Sequence, residues 1–414
     1  MSLSFRTMAS LLAAASLAGG CLPGGGAQQR GGSSACGNLD RHYEPYTGPV
    51  AVGRNYEYLT RERVTFSDVG GDYDPAIHPD GGRIIFASTY RSRVPEIYMK
   101  GVKSATVSQL TNTDWAEIQP CFSPDGKRFA YATNEHGNWD ICVEDLTGAG
   151  AKRGKICITR KMRSDEISPC FHPKGKWLAF SSFNGRSGRW EIQAVNLDTG
   201  QNLRIGEGLY PKFSPDGRKI VFQRPRNRSP RWFSIWTVDV DEDLNVSKQA
   251  VEVVSSSKWA AINPCWSPGG KYIAFATVHE SRVAQVTGRI SMGDDIWVVN
   301  VQGQDLLKLT DTEEPDSHPF WARDTKGRDR IYFCSMIAGP KNIWSVKPSL
   351  PEPYSSVAGP LRGPEPARVP PPAPPPEPPE TVAPEKSSQK PGRKPGELKT
   401  YLMPPPRALS TGGK

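Results

Sequence analysis

A short turn motif recurs through the middle of the chain, and it limits the fold more than any other feature. A proline, then an aromatic or Ile two positions on, then Ser/His-Pro-x-Gly, then a strand ending in an aromatic, occurs five times with one internal length. The copies run from Pro75 through Gly81 to Phe86, Pro120 through Gly126 to Tyr131, Pro169 through Gly175 to Phe180, Pro211 through Gly217 to Phe222, and Pro264 through Gly270 to Phe275. A degenerate sixth begins at Pro319-Phe320-Trp321 and reaches Tyr332-Phe333 with about three extra residues. Proline presets φ at the first turn position, Asp tolerates the second, and Gly supplies the positive φ that closes the hairpin. Each copy therefore predicts a strand pair, a and b.

A third strand, c, follows each pair: Glu96-Ile97-Tyr98, Asp140-Ile141-Cys142, Glu191-Ile192-Gln193, Ser234-Ile235-Trp236, Asp295-Ile296-Trp297 and Asn342-Ile343-Trp344. A fourth, d, is legible in most repeats: Gln109-Leu110-Thr111, Cys157-Ile158-Thr159, Glu252-Val253-Val254 and Lys308-Leu309-Thr310. Four short strands every 42 to 55 residues predict an all-β fold, a single six-bladed β-propeller. The sixth repeat lacks its own fourth strand. Val64-Thr65-Phe66 should supply it, because Phe66 precedes Pro75 by the nine residues that separate Thr111 from Pro120. The N-terminal strand then closes the last blade, leaving no free edge.

The two ends read differently. Arg6 and the uncharged run Met8 to Ala18 look like an export signal too short to span a bilayer. It ends at Leu17-Ala18-Gly19-Gly20-Cys21, which resembles the lipobox of bacterial lipoproteins, with Cys21 as lipid acceptor. The expected organisation is a signal peptide over 1–20, a Gly/Gln/Ser-rich flexible tether over 21–61, the propeller over 62–347, and a Pro-rich basic tail over 348–414. About half of the 39 prolines lie after Lys347, and so few aliphatics accompany them that the tail is expected to stay unfolded. It serves either as a spacer or as a docking strip.

The Ser-Pro-Asp-Gly-Lys hairpin at Ser123–Lys127, the Asp295-Ile296-Trp297 strand and the Leu-Thr strands resemble the repeats of the TolB-like β-propeller family, which includes the periplasmic component of the Tol-Pal system. The resemblance covers about residues 62–347. It implies an envelope protein that binds other proteins. The sequence departs from TolB in leaving no room for an N-terminal α/β domain and in carrying the lipobox and the proline tail. Related repeats also occur in prolyl-oligopeptidase-type peptidases and oligogalacturonate lyases.

In an antiparallel blade the d-to-a and b-to-c connections share one face. The residue before each repeat proline is expected to ring the channel mouth there: Asp74, Gln119, Ser168, Tyr210, Asn263 and His318, with Trp115 and Trp259 just upstream. The b-to-c connections are basic, with Arg91, Arg93, Arg186, Arg189, Arg224, Arg226, Arg228 and Arg231, and they account for much of the formal net charge of +9. A rim of one sign steers an oppositely charged partner. Nucleic acid is not expected, since export removes the chain from it and no regular aromatic stacking platform accompanies the arginines.

Cys121, Cys170 and Cys265 share one repeat position and read as small apolar filler between blades. No C-x-x-C spacing points to zinc. Cys142 and Cys157 should face each other across strands c and d, as Trp297 and Lys308 do in blade 5. Export permits a disulfide there, although directly paired strands often give poor geometry. His78 and His172 fill the turn slot held elsewhere by serine. No G-x-S-x-G, H-E-x-x-H or P-loop is present. The expectation is a non-enzymatic, monomeric scaffold or adaptor without cofactor or metal. It would be lipid-anchored at the periplasmic face of the outer membrane, holding an envelope protein through its funnel and basic loops. The alternatives are a receptor for an anionic polysaccharide or peptidoglycan fragment, and a metal-dependent lyase-like enzyme centred near His318.

Overall fold

Six four-stranded antiparallel sheets make up the fold, each a meander of strands a to d. The computed structural model describes residues 61–350, except 147–153, 226–232, 280–294, 313, 338 and 349. Blade 1 runs Asp72–Ile77, Arg83–Ser88, Glu96–Gly101 and Val107–Gln109. Blade 2 runs Glu117–Phe122, Arg128–Thr133, Asp140–Asp145 and Ile156–Cys157. Blade 3 runs Glu166–Phe171, Trp177–Asn184, Arg189–Asn196 and Asn202–Glu207, and blade 4 Leu209–Phe213, Lys219–Pro225, Phe233–Asp239 and Val251–Val254. Blade 5 runs Trp259–Trp266, Tyr272–His279, Ile296–Asn300 and Leu307–Lys308. Blade 6 takes strands a to c from Ser317–Arg323, Asp329–Ser335 and Asn342–Val346, and its fourth from Glu62–Arg63. The expected signal peptide, Cys21, the expected tether and nearly all of the expected tail lie outside the described residues, as do Arg226, Arg228 and Arg231.

The hairpins form as their turn chemistry dictates. In blade 2, Gly126 (φ 68°) donates its N–H to Ser123 O, while the Ser123 hydroxyl accepts from Arg128 N at 2.9 Å and donates to Asp125. His172 fills the serine slot in blade 3 and does more than hold its turn. Its Nδ1 accepts from Lys174 N at 3.1 Å, and its Nε2 lies 3.3 Å from the Gly217 carbonyl of the next blade. His78 reaches Gly126 O in the same way at 3.1 Å. These two histidines therefore tie neighbouring blades together.

Ring closure follows the expected route with a shifted register. Glu62 pairs with Ser345 and Arg63 with Trp344, after which Val64 N and Thr65 N both bond to Ile343 O. Leu110 and Thr111 share Ile97 O identically, and Leu309 and Thr310 share Ile296 O. Thr65, and not Phe66, is thus the counterpart of Thr111. The Gly70-Gly71 loop holds one residue more than its counterparts, and Phe66 is left exposed over Arg63 and Lys100. Each of these threonines, and Thr159 of blade 2, accepts a hydrogen bond from a strand-c isoleucine N–H: Ile97, Ile141, Ile296 and Ile343, at 2.8–2.9 Å.

Blade 3 has a fourth strand that the sequence did not announce, Asn202–Glu207, because it ends in Gly-Glu where blades 1 and 5 have Leu-Thr. Only Gly208 separates it from blade 4, and a Cβ there would lie 2.4 Å from the Phe222 ring. The core lies between blades. Tyr98, Tyr131, Phe180, Phe275 and Tyr332 are fully buried, as are the alanines and isoleucines of the b strands. Each large apolar side chain so buried contributes about 1.5–3 kcal/mol. Cys142 and Cys157 are direct partners and are disulfide-bonded, with Cα atoms 3.9 Å apart.

Candidate functional site: the axial mouth and its loop face

The residue before each repeat proline adopts a left-handed conformation. Asp74, Gln119, Ser168, Tyr210, Asn263 and His318 have φ between 51° and 58°, and they account for six of the eight non-glycine residues with positive φ among those described. Every one sits where the a–b ladder shifts register, as between Tyr73 and Ala76 or Ile118 and Cys121. The cause is local: proline has no N–H for the ladder, so the strand bulges around it. Holding a branched or aromatic residue in this region costs about 1–3 kcal/mol each.

The bulge turns these side chains towards the axis. Gln119 of blade 2 donates from Nε2 to the Tyr210 hydroxyl of blade 4 at 3.1 Å, and the Tyr210 ring meets His318 of blade 6 with centroids 6.4 Å apart. Blades 2, 4 and 6 are not neighbours, so they can meet only at the centre. Ser168 donates its N–H and hydroxyl to Gln119 Oε1, and Gln119 N donates to Asp74 Oδ2 at 3.2 Å. His318 Nε2 lies 3.4 Å from Asp74 Oδ1. Burial pushes the His318 pKa down, opposed by Asp74, and raises that of the Tyr210 hydroxyl. Both side chains are therefore neutral at pH 7. Asp74 Oδ1, Asn263 Oδ1 and both His318 nitrogens have no protein hydrogen bond among the described residues. The predicted ring residues are thus brought together, as a buried polar plug in place of an open rim. No group of three His, Cys, Asp or Glu side chains among the described residues is placed to hold a metal.

Outside the plug, acids meet across the seams between blades. Glu117 of blade 2 is pushed up to about 8 by burial and by Glu96 of blade 1. Glu166 rises to about 7 through burial and Asp140, and Asp316 to about 6 through burial and Asp295. Thr111 Oγ1 donates to Glu96 at 2.7 Å and Thr159 Oγ1 to Asp140 at 3.0 Å, so the closing threonines also serve these seams.

The loops above this layer carry the charge. Arg91, Arg93 and Arg186 are exposed. Arg189 is engaged with Glu207 at 2.7 Å, and Arg224 lies 3.6 Å from the Trp236 ring centroid, so these two are not free rim charges. Trp115 is 46% exposed, whereas Trp259 is in a strand, stacked on Phe275 and Trp297 and buried. The two tryptophans hold the same repeat position, but the blade 5 strand extends to Trp259 and pairs it with His279, which carries it into the core.

The family model described as the TolB beta propeller domain matches residues 72–282, half of the chain. The chain belongs to this family. The Tol-Pal system protein TolB of Francisella tularensis subsp. mediasiatica is 30% identical over 206 residues, 48% of this chain and 44% of its own length. The protein TolB homolog of Chlorobium luteolum is 27% identical over 160 residues, 37% of this chain and 34% of its own. The chain spans less than half the length of these curated relatives. Among solved structures, the putative TolB from Agrobacterium tumefaciens is similar with a TM-score of 0.50 at 20% identity, covering 64% of this chain and 90% of that one, a likeness of fold.

This TolB-family propeller has a basic loop that the motif reading passed over. Arg160, Lys161 and Arg163, in the connection from blade 2 to blade 3, are exposed, while Met162 between them turns in against the core. None of these three cations, nor Arg91, Arg93 or Arg186, forms a salt bridge among the described residues. The signal was a run of cations after the Leu-Thr-type strand end at Thr159, beside Asp165 and Glu166.

Proposed function

We propose that this propeller is a protein-binding scaffold or adaptor of the cell envelope. It would be tethered through a lipid on Cys21 at the periplasmic face of the outer membrane, holding a partner over its axial mouth and basic loops. The observation that carries this is the set of exposed cations, Arg93, Arg160, Lys161, Arg163 and Arg186, that form no salt bridge among the described residues and lie in loops sharing one face with the polar plug. Surface charge left without a salt bridge is available to an acidic partner, and it accelerates encounter. The Francisella relative is a Tol-Pal system protein, which supports an envelope setting and a protein partner. Catalysis is not part of the proposal, nor is a cofactor or a second copy of the chain.

The same exposed cations favour one second reading, a receptor for an anionic polysaccharide or peptidoglycan fragment. Capture from envelope extracts by intact chain and by Arg91→Glu/Arg186→Glu separates the two. A discrete protein retained by the former and lost from the latter supports the adaptor. Retention of saccharide alone supports the receptor, and capture insensitive to both charge reversal and salt refutes the basic-face reading. Cys21→Ser should release the chain from the membrane fraction, and its persistence there would refute the lipid anchor.

A further inference from the structure

The large exposed apolar side chains among the described residues fall into two groups. Val107, Ile156 and Val251 sit singly on the outer d strands of three blades, and Val246 and Phe66 lie beside such strands. Scattered exposure of this kind needs no explanation. Val69, Tyr90, Trp115 and Met336 are different: all lie in d-to-a or b-to-c connections, on one face, in the four loops around blade 1.

Those loops are stitched to one another. Asp72 N donates to Lys341 O at 2.9 Å, Thr89 N to Gly71 O at 3.0 Å, and Glu117 N to Pro95 O at 2.8 Å. The stitching continues into blade 2. Ala116 N bonds to Asn134 Oδ1 at 2.8 Å, and Asn138 Nδ2 to Ser164 O at 2.6 Å. The apolar loops thus lead without a break to the loop bearing Arg160, Lys161 and Arg163. Hydrogen-bonded loops that expose apolar side chains, next to a loop whose cations form no salt bridge among the described residues, have the make-up of an interface centre, where aromatic anchors dominate and preorganisation spares ordering entropy.

We propose that the face above blades 1 and 2 docks an acidic protein segment, whose apolar side chains seat on Tyr90 and Trp115 while its carboxylates meet Arg160, Lys161 and Arg163. The proposal rests on the protein-binding reading above and adds the chemistry of the partner. Charge complementarity fixes the acid, and the exposed rings require apolar residues within the same segment. A bilayer fits less well. Tyr90 and Trp115 are 45% and 46% exposed, so more than half of each is covered and they do not project as membrane-inserting side chains do.

The test pans a library of displayed random 12-residue peptides on the intact chain and measures selected synthetic peptides by fluorescence anisotropy. Enrichment of Asp or Glu together with Leu, Phe or Trp is expected. Tyr90→Ala/Trp115→Ala should weaken binding at least tenfold at any salt. Arg160→Glu/Arg163→Glu should weaken it tenfold at low salt, with the difference shrinking at about 0.5 M NaCl. Peptides that bind with affinities insensitive to Tyr90/Trp115 substitution overturn this docking site while leaving protein binding standing. Failure to select any peptide counts against both. Sedimentation with anionic phosphatidylglycerol vesicles that is lost in Tyr90→Ala/Trp115→Ala would assign the patch to lipid and overturn the protein segment.

Discussion

The Tyr210 hydroxyl of blade 4 accepts a hydrogen bond from Gln119 Nε2 of blade 2 at 3.1 Å, across the axis of the ring. The contact joins blades that share no strand pairing, so it locks the mouth independently of the sheets. Tyr210→Phe should lower stability by about 1 kcal/mol, since it leaves a buried amide donor unmet. Tyr210→Ala also removes the ring against His318 and should cost about 3–5 kcal/mol. Urea unfolding at constant m-value checks both: an unchanged stability in Tyr210→Phe would show that the hydroxyl carries nothing, and equal losses in the two variants that the ring carries nothing.

The seams between blades should make stability fall as pH rises. Glu117, Glu166 and Asp316 are pushed to about 8, about 7 and about 6 by burial and by Glu96, Asp140 and Asp295 respectively. Carboxyls in the unfolded chain titrate near 4. A folded pKa above the unfolded value means the contribution is fully present below about 4 and is lost as pH rises through the folded value. The melting temperature should therefore decline between pH 5 and 8, and Glu117→Gln should flatten the upper part of that decline. Identical melting curves for the variant and the parent from pH 6 to 9 would refute the assignment.

Acid acts through the histidines. Burial pushes His172 and His318 below the ordinary imidazole value, so their contribution is present above about 6.5 and is lost as pH falls through their folded values. Protonation of His172 also removes the Nδ1 acceptor used by Lys174 N. His172→Ser keeps a turn acceptor, as Ser123 does, but gives up the reach to Gly217, and should cost about 1 kcal/mol at pH 7. Its loss between pH 7 and pH 5 should be smaller than that of the parent, as read by thermal melts.

Much of the architecture was written in the spacing of Pro-x-Gly turns, because a hairpin needs only its own few residues to be specified. The position of the axial ring was legible for the same reason, since it is fixed by the proline that follows. Its burial was not, because what covers Asp74 is His318 from the far end of the chain. The pairing of the seam acids was not legible, because Asp140 and Glu166 belong to different blades and neither half signals the other. Ring closure shows the limit of counting: one glycine-loop residue moved the equivalence from Phe66 to Thr65, which only the shared Ile343 carbonyl reveals.

The cysteines should separate sharply in reactivity. Cys142 and Cys157 are bonded across 15 residues, and loop closure of that size stabilises by about 3 kcal/mol. Burial pushes the Cys121, Cys265 and Cys334 thiols up to about 12, so they stay unreactive in the folded chain. Iodoacetamide at pH 8 should leave these three unlabelled until denaturant is added, and non-reducing peptide mapping should recover Cys142 linked to Cys157. Labelling of Cys142 in the folded, unreduced chain would refute the bond.

Thr65 concentrates the closure of the ring into one side chain. Its hydroxyl donates to Asn342 Oδ1 at 3.2 Å and accepts from Ile343 N at 2.9 Å, joining residues 277 and 278 positions away. Thr65→Val preserves shape and burial but leaves a strand-c N–H without its acceptor, so it should cost about 1–3 kcal/mol. Thr111→Val makes the same chemical change inside blade 1, where neighbouring strands are joined by short connections. Among the described residues the closing ladder has two paired residues, Glu62 and Arg63, so the Thr65 variant should also free the N-terminal segment. Hydrogen exchange should then quicken at residues 62–65 and 342–346 in Thr65→Val, while Thr111→Val quickens exchange only around Ile97. Equal protection of the closing strand in both variants would show that the ring is held shut by something other than this hydroxyl.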